Sequence, residues 1–227
     1  MTSRKQADTP LPDAVKAIVG RISQRSGLLD DSEQVLIGVY RAIVDVFEQG
    51  GILYICGNGG SFADAIHIKA ELTKSFERPR PITDPKVKAR LKGSKIGAAL
   101  LENLEVGLPV VVLGESHGLR SAYENDRDPI FSYAQELNAF AGHLKTGALL
   151  GISTSGNAKN VIAAMTLAKA HELVTISFTG PDGGQLAQTA DIALRVPGDC
   201  TAKIQENQIP LYHTLCRMIE AHFFNAS

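Results

Sequence analysis

The 227-residue sequence has no apolar run approaching about 18 residues, which argues against a membrane-spanning helix. It has almost no charge bias. Its 23 Lys and Arg against 24 Asp and Glu leave a net charge of −1, giving no bulk signal for nucleic acid or an anionic membrane. The opening Met1-Thr2-Ser3-Arg4-Lys5-Gln6 lacks the apolar stretch of a secretory signal. Cysteine is scarce: Cys56, Cys200 and Cys216 are an odd number without CxxC spacing, which reads as reduced thiols in a cytoplasmic protein. The glycine-rich stretch does not spell GxGxxG, which argues against a dinucleotide. The absence of GxxxxGK[ST] argues against a nucleoside triphosphate, so no nucleotide cofactor is expected.

What remains is an ordinary globular composition, 44% hydrophobic and 21% charged, long enough to bury a substantial core. Its most informative stretch is Ile52-Leu53-Tyr54-Ile55-Cys56-Gly57-Asn58-Gly59-Gly60-Ser61. Strand-forming residues run into a glycine turn, and a helix opens at Ser61. The turn and the helix start expose backbone N–H groups with partial positive charge, a site suited to a phosphate. About 95 residues on, Leu149-Leu150-Gly151-Ile152 leads into Ser153-Thr154-Ser155-Gly156-Asn157, another strand-to-helix turn with three hydroxyls. Cys56, beside the first turn, reads as a small buried residue at a strand end rather than a reactive thiol.

Residues 1–50 carry two amphipathic helices, about 12–26 and 32–49, the second capped by Asp31 or Ser32 and stopped by Gly50-Gly51. Strands are expected at 52–56, 109–113, 147–152, 173–178 and 191–196, separated by helices at about 61–75, 129–141, 157–171 and 184–189. A long C-terminal helix covers about 201–224, with Pro210 expected to kink it near Glu206. Residues 78–108 begin basic and proline-rich and continue as one or two short helices, either a lid or a subunit contact. Most strands are continuously apolar, so both sheet faces are covered. The pattern is a doubly wound, five-stranded parallel α/β sheet in a single domain. Both polar turns fall at carboxyl ends of strands, where such sheets bind ligands.

His67 and Glu71 lie four apart on the helix leaving the first turn and share a face. They are either cleft-facing chemistry, a possible metal-ligand pair included, or a solvated pair. His213 lies in the C-terminal helix eight residues after Gln205, about 12 Å along a straight helix, so the two reach one ligand only with a kink or long side chains. Asn125-Asp126 suits sugar hydroxyls and equally a turn.

These residues resemble a known family. Cys56-Gly57-Asn58-Gly59-Gly60-Ser61 with Asp64 through Leu72, Leu150 through Asn157, Thr179 through Gly184, Ala190 through Pro197 and Ile204-Gln205-Glu206 are similar to the motifs of the sedoheptulose 7-phosphate (phosphoheptose) isomerases of the sugar isomerase (SIS) domain superfamily. The likeness covers about 33–75 and 109–224. It implies a flavodoxin-like fold, a homotetramer with active sites at subunit interfaces, and conversion of a ketose phosphate to an aldose phosphate. It implies sugar-phosphate contacts at Asn58, Gly59, Gly60, Ser61, Asn125, Asp126, Ser153, Thr154, Ser155 and Gln205. It places the base at Glu71, the acid at His213, and zinc in some members on His67, Glu71, Gln205 and His213.

The chain departs from the family at Ala158, usually Ser, and at Gln208, where the family has His. It also departs around Gly114-Glu115-Ser116-His117 and in the longer insert at about 78–105. These departures bear on the exact sugar more than on the reaction class. Two alternatives stay open: a non-catalytic SIS protein that regulates a partner protein, and an isomerase of a different phosphosugar.

Overall fold

The computed structural model describes residues 10–23, 32–143 and 146–224. Two helices, α1 (Asp13–Ser23) and α2 (Glu33–Glu48), precede β1 (Ile52–Gly57) and α3 (Gly60–Thr73). After α4 (Pro85–Leu91) and α5 (Lys95–Asn103) come β2 (Val110–Val112), α6 (His117–Asp126), a 3₁₀ turn at Pro129–Phe131 and α7 (Ser132–Ala141). Then β3 (Gly147–Ser153), α8 (Lys159–Ala170), β4 (Val174–Thr179), α9 (Gly184–Thr189), β5 (Ile192–Arg195) and α10 (Thr201–Phe223) complete the chain. Residues 24–26 of the expected first helix, and Asp31, lie outside the described residues.

The five strands form one sheet in the order β2-β1-β3-β4-β5, with every pairing parallel. This is the flavodoxin-like order, and its direction reverses between β1 and β3. Successive side chains of a strand point to opposite faces, so each face builds its own core. Leu53 and Ile55 pack with α1, α2, α3 and α10 through Val15, Leu36, Ile68 and Met218. Tyr54 and Cys56 pack with α7, α8 and α9 through Leu137, Met165 and Leu186. Every residue of β3 is buried, as its continuous apolar run requires. Cys56 is indeed a buried strand residue, and its burial pushes the thiol up to about 12, away from reactivity.

Helix α2 ends where Gly50 takes φ +74 and its N–H bonds to Phe47 O, as expected of a glycine stop. Ser32 sits at the N-cap with no side-chain cap bond; its hydroxyl donates to Arg195 O at 3.1 Å and ties α2 to the end of β5. Asn125 and Asp126 are the last turn of α6, a helix not foreseen in the sequence, supported by an Arg120–Glu124 ion pair one turn apart at 2.8 Å. Helix α10 continues on both sides of Pro210. The insert folds as two capped helices. Asp84 accepts from Lys86 N at 2.7 Å, and Ser94 accepts from Gly97 N at 3.0 Å. No side chain of α4 is buried, and Gly97 alone is buried in α5. Arg80 is the exception to the insert's basic exterior, being 1% exposed. Among the described residues no helix is long and apolar enough to cross a membrane.

Candidate active site

Register places the two polar turns side by side. Cys56 pairs with Gly151 and Gly57 with Ile152, so both chains leave the sheet at the reversal point between β1 and β3. Gly59 takes φ +55 to start α3, a backbone conformation that other residues rarely adopt. Asn58 links the turns: its amide exchanges hydrogen bonds of 2.8 and 2.9 Å with Asn160 in the first turn of α8. Tyr133 donates to Gly57 O at 2.6 Å and braces the same turn from α7. In the second turn Gly156 takes φ +67, and a Cβ there would stand 1.9 Å from Gly183 O. Its hydroxyls are graded in access, with Ser153 buried, Thr154 half-buried and Ser155 exposed. A cleft opens from Thr154 and Ser155 toward Asp182, Asp199 and Thr201.

The first turn leads into the ionisable cluster. His67 and Glu71 occupy successive turns of α3, and His67 Nε2 lies 3.1 Å from Glu71 Oε1. Helix α10 packs against α3 and brings His213 Nε2 to 3.5 Å from His67 Nε2. Tyr212, one residue earlier, sets its hydroxyl 2.9 Å from His67 Nδ1 and 3.4 Å from Asp64 Oδ1. Burial pushes the His213 pKa below the ordinary imidazole value, and the neighbouring His67 and Arg217 push in the same direction. The ring is therefore neutral near pH 7, able to accept a proton at one nitrogen and donate one at the other. Burial raises the Asp64 carboxyl above its usual value.

Gln205 reaches the other end of α3. A Cβ built on Gly60 would lie 2.2 Å from Gln205 Nε2, so the absent side chain at Gly60 makes room for this amide. Ser61 is 4% exposed. The structure thus puts Asn58, Gly59, Gly60 and Gln205 together at the start of α3, and His67, Glu71 and His213 together further along it. Asn125 and Asp126 are exposed at the end of α6, where Asn125 Nδ2 donates to Asp126 Oδ1 at 2.8 Å. Gln208 is fully buried and donates to Phe178 O at 3.3 Å, so this departure from the family pattern belongs to the core under β4. Tyr212, Tyr133, Asn160 and Arg80 were not singled out from the sequence. Nothing in the spacing of these four distinguishes them from ordinary core or surface residues.

A tetrahedral zinc holds its ligands about 3.3 Å from one another, given metal–ligand distances of about 2.0–2.1 Å. The two separations that meet at His67 Nε2, 3.1 and 3.5 Å, fit that spacing, and the donors are of the right kind. Among the described residues no group of three or more His, Cys, Asp or Glu is already gathered as a metal site, so loading zinc here calls for side-chain adjustment.

Comparison with known proteins bears on the family and the fold. No family model matches the chain. It is 34% identical over 195 residues to a phosphoheptose isomerase of Helicobacter pylori, covering 86% of this chain and 88% of that protein. The chain belongs to the phosphoheptose isomerase family. Its fold superposes on the phosphoheptose isomerase of Francisella tularensis with a TM-score of 0.68 at 28% identity, covering 90% of this chain and 92% of the other. The corresponding structure from Neisseria gonorrhoeae gives 0.65 at 29% identity, covering 91% and 96%.

Proposed function

We propose that the protein isomerises sedoheptulose 7-phosphate to D-glycero-D-manno-heptose 7-phosphate through an enediol(ate). The observation that carries this reading is the meeting of a carboxylate from α3, Glu71, and a neutral imidazole from α10, His213, around His67 beside two phosphate-type turns. Isomerisation moves one proton between C1 and C2 and one between the two oxygens. Glu71 takes the carbon-bound proton from one carbon and returns it to the other. His213 serves the oxygens, donating to one and accepting from the other. Positioned groups of this kind contribute about 10²–10⁴-fold each.

The non-reacting end of the sugar sets the position of the reacting end. Ser153, Thr154 and Ser155 supply hydroxyls and backbone N–H groups for the phosphate, while Asn58, Gly59, Gly60, Ser61 and Gln205 line the approach to α3. Asn125 and Asp126 present hydrogen-bonding groups of the kind that bind sugar hydroxyls. Zinc, when bound, would be held by His67, Glu71 and His213, would need the Gln205 amide to swing from its seat at Gly60 to complete the set, and would polarise the substrate carbonyl.

The chain acts as one SIS domain, and the free cysteines, two of them buried, suit a cytoplasmic protein. A homotetramer with sites at subunit interfaces gives the insert a place to pack, since Ile96 on α5 is 68% exposed and α4 buries no side chain. The deciding experiment is turnover of sedoheptulose 7-phosphate by the purified protein, with and without zinc, beside Glu71→Gln and His213→Gln. Activity lost in both variants supports the assignment. An inactive wild type, or an active Glu71→Gln, overturns it.

A further inference from the structure

We propose that Asn160 is a positioning residue: its carboxamide holds that of Asn58 in one orientation and leaves the second Nδ2–H of Asn58 to donate to the sugar phosphate. This rests on the reading of the two polar turns as the sugar-phosphate site.

The two amides face each other across the turns. Asn58 Nδ2 is 2.8 Å from Asn160 Oδ1, and Asn160 Nδ2 is 2.9 Å from Asn58 Oδ1. A reciprocal pair of this kind can be built in two ways, as described or with both amides turned over. The N–H of Val161 decides between them. It lies 3.0 Å from Asn160 Oδ1, and a backbone N–H can only donate. Turning the pair over would bring Asn160 Nδ2 against it, donor to donor. Val161 is in the first turn of α8, where N–H groups have no acceptor within the helix. Ala158, the N-cap, has no hydroxyl to offer, and the Asn160 side chain takes this bond instead. Tyr133 leaves the orientation open: its hydroxyl is 3.1 Å from Asn58 Oδ1, and a phenol oxygen accepts as well as donates.

With the orientation set, Asn58 Oδ1 accepts from Asn160, and one hydrogen on Asn58 Nδ2 is spent on Asn160. The other belongs to an exposed side chain in the first turn and is the donor left for a ligand. The hydroxyl turn is held by other residues. Asn157 Nδ2 donates to Ser155 O at 3.0 Å, Asn157 Oδ1 accepts from Gln185 N at 3.1 Å, and Leu186 N donates to Gly156 O at 2.9 Å. Removing the Asn160 amide therefore acts on Asn58 and leaves the hydroxyl turn in place.

The test is calorimetric titration of the full-length protein with sedoheptulose 7-phosphate, which needs no turnover, beside steady-state kinetics. Asn58→Ala should weaken binding about three- to tenfold, the worth of one hydrogen bond. Asn160→Ala keeps the Asn58 side chain but removes its seat. It should weaken binding by a similar factor and raise KM, with kcat nearly unchanged. The double variant should bind no more weakly than Asn58→Ala alone, because Asn160 acts only through Asn58. Alanine suits a helix, so the melting temperature should stay close to that of the wild type. Unchanged binding in Asn160→Ala, a loss confined to its melting temperature, or effects that multiply in the double variant overturn the proposal. A wild type that binds the sugar phosphate without turning it over would count against the assigned reaction and leave these binding ratios standing. One that does not bind it overturns both.

Discussion

His67 and His213 are 146 positions apart in the chain, yet their Nε2 atoms lie 3.5 Å from each other. One imidazole comes from the helix that follows β1, the other from the last helix, and the packing of α3 against α10 alone brings them together. Two rings this close cannot both be protonated without repulsion, and Phe76 covers His213 with ring centroids 5.5 Å apart.

That contact has a consequence for stability against pH. Burial and the neighbouring His67 lower the His213 pKa in the folded state. The neutral ring's contribution is therefore fully present above the ordinary imidazole pKa of about 6.5, and is lost as pH falls from there through the folded value. Urea unfolding at pH 7.5 and 5.5 should show a lower midpoint at the acid pH, with a smaller drop in His213→Gln. An equal drop in the variant would assign the effect to other groups.

Replacing Glu71 by Gln keeps the shape of the side chain and removes its ability to take a proton. We expect kcat to fall by about 10²–10⁴ with KM nearly unchanged. Steady-state kinetics on sedoheptulose 7-phosphate separate the two parameters. A change confined to KM would make Glu71 a binding residue.

Arg80 and Glu220 form an ion pair at 2.8 Å with side chains 0% and 1% exposed. Arg80 also donates to Leu72 O at 2.7 Å and to Glu71 O at 3.0 Å, while Glu220 accepts from Phe76 N at 2.8 Å and Glu77 N at 2.9 Å. The pair thus fastens the end of α3, with Glu71 on it, to α10. Arg80→Met leaves a buried carboxylate without its cation and should cost about 3–5 kcal/mol in urea unfolding. The double variant Arg80→Met/Glu220→Leu should recover part of that loss. A cost below about 1 kcal/mol would mean the pair behaves like an exposed one.

Gly60→Ala tests the seat of Gln205. The added Cβ meets the amide of Gln205 at 2.2 Å, and that amide is the far end of a flexible side chain. The fold should tolerate the change while Gln205 is displaced. The expected result is a KM raised about three- to tenfold, the worth of one hydrogen bond, with the melting temperature nearly unchanged. An unaltered KM would remove Gln205 from the substrate contacts.

The sequence by itself determined the sheet and its two polar turns. Continuous apolar runs such as Leu149 to Ile152 can be buried only where helices cover both faces, and Gly59 and Gly156 mark backbone that bends with positive φ. Periodicity also placed His67 and Glu71 on one face of α3, because helical neighbours four apart must share one. Helix α6 was hidden because Asn125-Asp126-Arg127-Asp128-Pro129 carries turn chemistry that ends a helix as readily as it makes a loop. Only the tertiary structure decided that Arg80, in a proline-rich basic stretch, is buried against Glu220, and that the hydroxyl of Tyr212 meets His67. Local pattern records which face a residue occupies along its own helix. It carries no information about which residue of a distant helix will stand opposite, since that depends on how α3 and α10 pack across the whole core.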